Sequence, residues 1–142
     1  MLAQTVLNDQ SNASTAIPEL LRMLCLEGCI VTLDAIGCQK AIARQIWAQE
    51  ADYVLRVRAN HQGLHDRLRD TFALERAVDF AGYPHDYADT VGKDHGRIET
   101  RRCWTTGDSA YLAHVDPDRD WCDLASLVWV ESARRCGERG TA

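Results

Sequence analysis

Cys29-Ile30-Val31-Thr32-Leu33-Asp34-Ala35 is the stretch whose reading decides the fold. Five residues with strand or core preference run straight into one carboxylate, and Gly28 and Gly37 bound the run. An apolar run of that length between glycines reads as a strand buried on both faces, hence part of a parallel or mixed sheet covered by helices. Polar side chains are unwelcome inside such a strand and collect at its carboxyl end, where open α/β sheets place their sites. Asp34 stands at that end. Asp is also a common helix N-cap, so the same residue reads equally well as the cap of a following helix. The local pattern leaves both readings open.

Working outward, Thr15 to Leu26 reads as a helix, with Pro18 in its first turn and Ile17, Leu20, Leu21 and Leu24 on one face. Before it, Leu2 to Leu7 reads as the tail of a strand, which sets the expectation that the fold begins upstream of Met1. Gln39 to Gln49 is a second helical pattern. Tyr53 to Arg58 alternates as a second strand, with Tyr53, Leu55 and Val57 on one face and Val54, Arg56 and Arg58 on the other. Strand, helix, strand in this order implies a right-handed crossover between neighbouring parallel strands. Asn60 to Glu75 spaces Leu64, Leu68 and Phe72 as a third helix. After Ala77 the character changes: Ile98 to Trp104 alternates as a strand with Tyr87 to Val91 as its hairpin partner, and Leu124 to Val130 is a last strand. Gly107 to Trp121 reads as loop and Ser132 to Ala142 as a polar tail. The expected organisation is one domain over 1–142, with an α/β part over about 1–77 and a β-rich part over about 78–131.

With 142 residues the chain can bury a real core, and its net charge of -5 does not advertise a polyanion partner. Fourteen of the sixteen basic residues are Arg; Arg suits bidentate phosphate contacts, although a GC-rich genome gives the same bias. A global charge also hides local basic patches. The six cysteines form no Cys-x-x-Cys pair, so buried free thiols are expected and a zinc site is not. No leader-like or membrane-length apolar stretch is visible, which makes a cytoplasmic protein the expectation, with no membrane partner.

Three constellations could carry chemistry. Asp34 is the first: a carboxylate at a strand end can hold a divalent ion, but two-ion phosphoryl transfer needs several carboxylates converging on ions about 3.5–4 Å apart. The second is His95-Gly96-Arg97-Ile98-Glu99-Thr100-Arg101-Arg102, where Arg97, Glu99 and Arg101 share a strand face. It reads as a surface ion-pair ladder, as a phosphate-binding strip organised by Glu99, or as Glu99 offered to a metal. The third is Arg58-Ala59-Asn60-His61, where Arg58 could meet phosphate and Asn60 could hydrogen-bond beside Asp34, or Asn60 could simply cap the next helix. His65, His85 and His114 lack metal-ligand spacing and read as surface histidines.

Several blocks in order resemble one family. Thr15-Ala16-Ile17-Pro18-Glu19-Leu20-Leu21, then Leu26 to Lys40 (Leu-Glu-Gly-Cys-Ile-Val-Thr-Leu-Asp-Ala-Ile-Gly-Cys-Gln-Lys), then Ala51-Asp52-Tyr53-Val54-Leu55, are similar to the H-repeat-associated group of bacterial insertion-sequence transposases. Pro84-His85-Asp86-Tyr87 and His95 to Arg101 match the same group, so the resemblance runs from about Leu2 to Ser132. It implies an RNase H-like fold with an acidic triad of two Asp and one Glu, binding Mg²⁺ or Mn²⁺ and cutting and joining DNA at transposon ends. Asp34 matches the second Asp. The family's first Asp belongs to an Asp-Gly-Lys segment and its final Glu to a Trp-x-Ile-Glu-Asn segment, neither of which this chain contains. The chain departs from the family where Arg58-Ala59-Asn60-His61 replaces Lys-Gly-Asn-Gln, at Ala13, and beyond Arg134.

The resulting expectation is a truncated transposase catalytic domain, a partial RNase H-like mixed sheet with a β-rich insertion. Asp34 is its metal and catalytic residue, and Glu99 a second catalytic candidate. Lys40, Arg58, Asn60, Arg97, Arg101 and Arg102 are the expected DNA-binding residues. The expected partner is transposon-end DNA on the nucleoid, with a homo-oligomer open and no small-molecule substrate, and the chain alone is expected to be inactive. Two rivals stand beside it: a metal nuclease using Asp34, Glu99 and a third acid such as Asp52 or Asp66, and a non-catalytic module binding DNA or another transposase copy through Arg97, Arg101 and Arg102.

Overall fold

A computed structural model describes residues 13–94 and 97–136. The strand tail expected at Leu2 to Leu7, His95-Gly96 and the tail beyond Cys136 lie outside the described residues. The chain is mixed α/β and divides into two compact units, one formed by residues 13–67 with 115–124, the other by 68–114 with 125–136.

The first unit opens with α1 (Ala13–Met23) and continues through β1 (Ile30–Leu33), α2 (Lys40–Ala48) and β2 (Asp52–Leu55) into the start of α3 (Gln62–Ala77). The two strands pair in parallel, Ile30 opposite Asp52 and Leu33 opposite Leu55, with α2 as the crossover the sequence order required. Ile17, Leu21 and Leu24 of the first helix pack with Leu26, Ile42, Ile46 and Ala51, while Val31, Leu33 and Tyr53 close the cluster from the strands. A second cluster gathers Cys38, Ala43 and Trp121 against Tyr53, Leu55, Val57, Leu64 and Leu124. Tyr53 serves both clusters; its hydroxyl donates to the Cys122 carbonyl at 2.6 Å, and burial pushes its phenol up to about 12. Gly37 is buried against Leu33, whose side chain a Cβ at this position would meet at 2.8 Å, so the site takes glycine alone.

One expectation fails here. The β1 strand is not buried on both faces: Val31 and Leu33 face the core, while Ile30 is 68% and Val54 52% exposed. The run is continuous in hydrophobicity, yet its exposed partners across the pair, Asp52 and Val54, share an open face. Continuous apolarity states that both faces tolerate burial, not that both are covered.

The second unit contains the rest of α3, then β3 (Asp86–Asp94), β4 (Arg97–Thr106), α4 (Ser109–Val115 but for Val115) and β5 (Leu127–Cys136). Its sheet is antiparallel in the order β3-β4-β5. The hairpin pairs Tyr87 with Trp104 and Val91 with Thr100, and β5 pairs Trp129 with Trp104 and Arg134 with Glu99. Phe72, Phe80, Trp104, Trp129 and Leu127 make its core, with the Phe80 ring stacked on Trp104 at 5.2 Å and Phe72 against Trp129 at 5.5 Å.

Two further expectations are corrected. The span read as loop contains α4, whose N-terminus is organised by Asp108: its Oδ1 accepts from Ala110 N–H at 2.9 Å and Tyr111 N–H at 3.4 Å. The last strand is displaced, running to Cys136 instead of ending at Val130, so residues read as polar tail are paired backbone. Of the thiols expected to be buried, Cys38 is, while Cys25 and Cys29 are exposed.

Candidate functional site

The end of β1 is built by backbone geometry. Asp34 has extended φ and ψ and precedes a 3-10 turn over Ala35–Gly37, in which its carbonyl accepts from Gly37 N–H at 2.8 Å. Its carboxylate makes no capping hydrogen bond, so the cap reading is not met. The side chain is 67% exposed, and Arg56 Nε lies 3.9 Å away. Asp34 continues the parity of Ile30 and Thr32, and Arg56 that of Asp52 and Val54; carboxylate and guanidinium therefore meet on the open face, one step past the last paired rung. The sequence alternation had placed Arg56 on that face, but the partner appears only once the register is known.

Asn60 lies in a second 3-10 turn, Ala59–His61, directly before α3 begins at Gln62. Its Nδ2 donates 2.9 Å to the Ala35 carbonyl, which ties the end of β2 to the end of β1 next to Asp34. Arg58 precedes that turn, exposed, with extended backbone. Lys40 opens α2 and is engaged elsewhere, 2.5 Å from Asp120 Oδ2. The loop carrying Asp120 is itself pinned by buried Asp116, which accepts from the backbone N–H groups of Asp120 and Trp121 at 3.0 Å each. Asp52, proposed above as a third acid, sits opposite Ile30, four residues from the Asp34 level. At about 3.3 Å per residue that is roughly 13 Å, too far to share an ion with Asp34. Among the described residues no group of three His, Cys, Asp or Glu side chains is placed to hold a metal.

In the second unit, Glu99 faces the same side of β4 as Arg101. Arg101 Nε and Nη2 both donate to Glu99 Oε1, at 3.2 and 3.1 Å, and Arg134 Nε from β5 lies 3.6 Å from the same oxygen. The hydrogen bond from Arg101, reinforced by the charges of Arg101 and Arg134, holds the Glu99 carboxyl below the usual carboxylate range against a smaller opposing effect of desolvation. Arg134 was missed in the sequence because it fell in the supposed tail. Arg102 turns to the opposite face, where the register sets it between Asp89 and Glu131. Arg97 begins β4, paired with Asp94 and Cys136; its side chain lies outside the described residues.

The chain is 43% identical over 134 residues to an uncharacterized protein of the dhlA 3′ region of Xanthobacter autotrophicus, a match that covers 94% of this chain and 43% of that protein. It is 42% identical over 101 residues to YncI of Escherichia coli K12, provisionally named a transposase, covering 71% of this chain and 40% of YncI. YbfD of the same organism, provisionally named an H repeat-associated transposase, is 40% identical over 101 residues, covering 71% of this chain and 39% of YbfD. The chain is a relative of the H repeat-associated transposases. It spans less than half the length of each of these three proteins. No family model and no solved structure matches it.

Proposed function

We propose that the chain serves DNA transposition as a DNA-binding part of an RNase H-like catalytic region, with Asp34 as one carboxylate of a metal-binding set. The observation that carries this reading is Asp34 itself: a strand-end carboxylate not used as a cap, exposed, beside Asn60, in a chain about 40% identical to proteins named as transposases. The ion expected for such chemistry is Mg²⁺ or Mn²⁺. The described residues do not by themselves fit a two-ion site, because Asp34 supplies one ligand and no group of three donors surrounds it. No catalytic step is therefore assigned to this chain. Glu99, locked between Arg101 and Arg134, organises cations that can face phosphate.

The test is fluorescence anisotropy of labelled duplex DNA, titrated with the chain at several salt concentrations. Affinity is expected to fall linearly on a log–log plot against salt, and Arg101→Glu is expected to flatten the slope by about one or more. Absent or salt-independent binding sinks the proposal. The nuclease reading predicts instead Mn²⁺-dependent nicking of supercoiled plasmid that disappears in Asp34→Ala; the present proposal expects the plasmid to stay intact.

A further inference from the structure

The in-and-out alternation of β2 runs past the end of the strand. From Asp52 to Arg58 exposure alternates without a break: Asp52, Val54, Arg56 and Arg58 face outward, while Tyr53, Leu55 and Val57 pack inward. Two arginines therefore follow one another on the open face, two extended residues or about 6.6 Å apart. Both backbones are fixed. Arg56 N–H donates to the Leu33 carbonyl at 3.0 Å, one more rung of the parallel ladder, which sets Arg56 level with Asp34. The Arg58 carbonyl accepts from His61 N–H at 3.0 Å, and Asn60 of that turn holds the Ala35 carbonyl at 2.9 Å.

The side chains, by contrast, are open to a ligand. Arg56 is 64% exposed, and its Nε, 3.9 Å from Asp34 Oδ1, forms an ion pair too long for a hydrogen bond. The Arg58 side chain is exposed and has no hydrogen bond or ion pair among the described residues. A guanidinium carries five donors in a rigid fork that matches phosphate oxygens. Two of them on a pinned backbone, this far apart, match consecutive phosphates along one nucleic-acid strand. The acids on the same face are Asp34 and Asp52. Asp52 lies four residues back from Arg56, about 13 Å, so Asp34 is the acid that opposes a phosphate at Arg56.

We propose that Arg56 and Arg58 grip two consecutive phosphates of one DNA strand and lead that strand past Asp34. The proposal rests on the transposition reading above and adds Arg56 to its DNA contacts. The test is anisotropy of labelled duplex DNA with the full chain, without divalent ions, over a series of salt concentrations. Arg56→Gln and Arg58→Gln are each expected to flatten the log–log salt slope by about one. Arg44→Gln is the comparison: Arg44 is exposed on α2, which packs on the opposite face of the sheet, and its loss is expected to leave the slope unchanged. Asp34→Asn removes the acid beside Arg56 and is expected to tighten binding about two- to fivefold, the worth of an exposed ion pair. All four side chains are exposed, and thermal melts that match the unaltered chain show that each variant folds. Slopes for Arg56→Gln and Arg58→Gln no flatter than that of Arg44→Gln overturn the proposal and leave the transposition reading standing. Binding no tighter in Asp34→Asn overturns it in the same way. Absence of salt-dependent binding by the unaltered chain overturns both.

Discussion

Asp34 and Glu99 are both acids beside arginine, and their surroundings separate their roles. Asp34 faces Arg56 at 3.9 Å with most of its side chain in water, so it remains available. Glu99 is committed, with two donors from Arg101 on one oxygen and Arg134 nearby. A carboxyl whose folded-state pKa is lowered contributes stability above its unfolded pKa and loses that contribution as pH falls through the folded value. NMR titration of the Glu99 side chain is therefore expected to give a midpoint below the ordinary glutamate value of about 4.3. Arg101→Ala should move it back up, and a wild-type midpoint at or above the ordinary value would contradict the geometry. Much of this was legible: alternation alone put Glu99 and Arg101 on one face. Arg134 and Arg56 were not, because a cross-strand partner depends on register, which a one-residue slip would change entirely.

Element boundaries show the same division between local and non-local information. The α2 helix runs from Lys40 to Ala48, between the caps Gln39 and Gln49, close to its reading from periodicity. Its exit is a Schellman motif: Ala51 N–H donates to the Ile46 carbonyl at 3.3 Å and Glu50 N–H to the Trp47 carbonyl at 3.0 Å. Glu50 takes the left-handed position with φ 58°, where glycine carries no Cβ penalty. Glu50→Gly is expected to stabilise the protein by about 0.5–1 kcal/mol, net of the greater freedom glycine has when unfolded. Chemical denaturation measures it, and a destabilised variant would show that the Glu50 side chain contributes more than the strain it imposes. The α4 helix escaped reading because seven residues give too few turns for a period, although Asp108 before it was a cap signal in plain view. The far half of β5 escaped because Ser132, Arg134 and Arg135 have no strand preference; they are strand by virtue of pairing with Arg101, Glu99 and Ile98.

At the scale of the molecule, the mixed α/β character and the parallel crossover were readable, since apolar periodicity reports which residues want burial. The open face of the parallel pair was not, because a sequence does not record how much of an apolar surface the rest of the chain covers. The buried Glu75 was not either: within a helical pattern it looked like one more surface acid, and only the tertiary arrangement surrounds it with rings.

The strand orders β1-β2 and β3-β4-β5 carry one more consequence. Among the described strands β4 alone has neighbours on both sides; every other strand has one flank of amides and carbonyls without a sheet partner. Solvent therefore reaches the backbone of β4 last. In deuterated water its amides from Arg101 to Trp104, paired on one side with Tyr87 to Thr90 and on the other with Trp129 to Ser132, should be the slowest of any strand to lose their protons. The edge strands should exchange well before them, so the time course would read the order of the sheet directly from the amide protons.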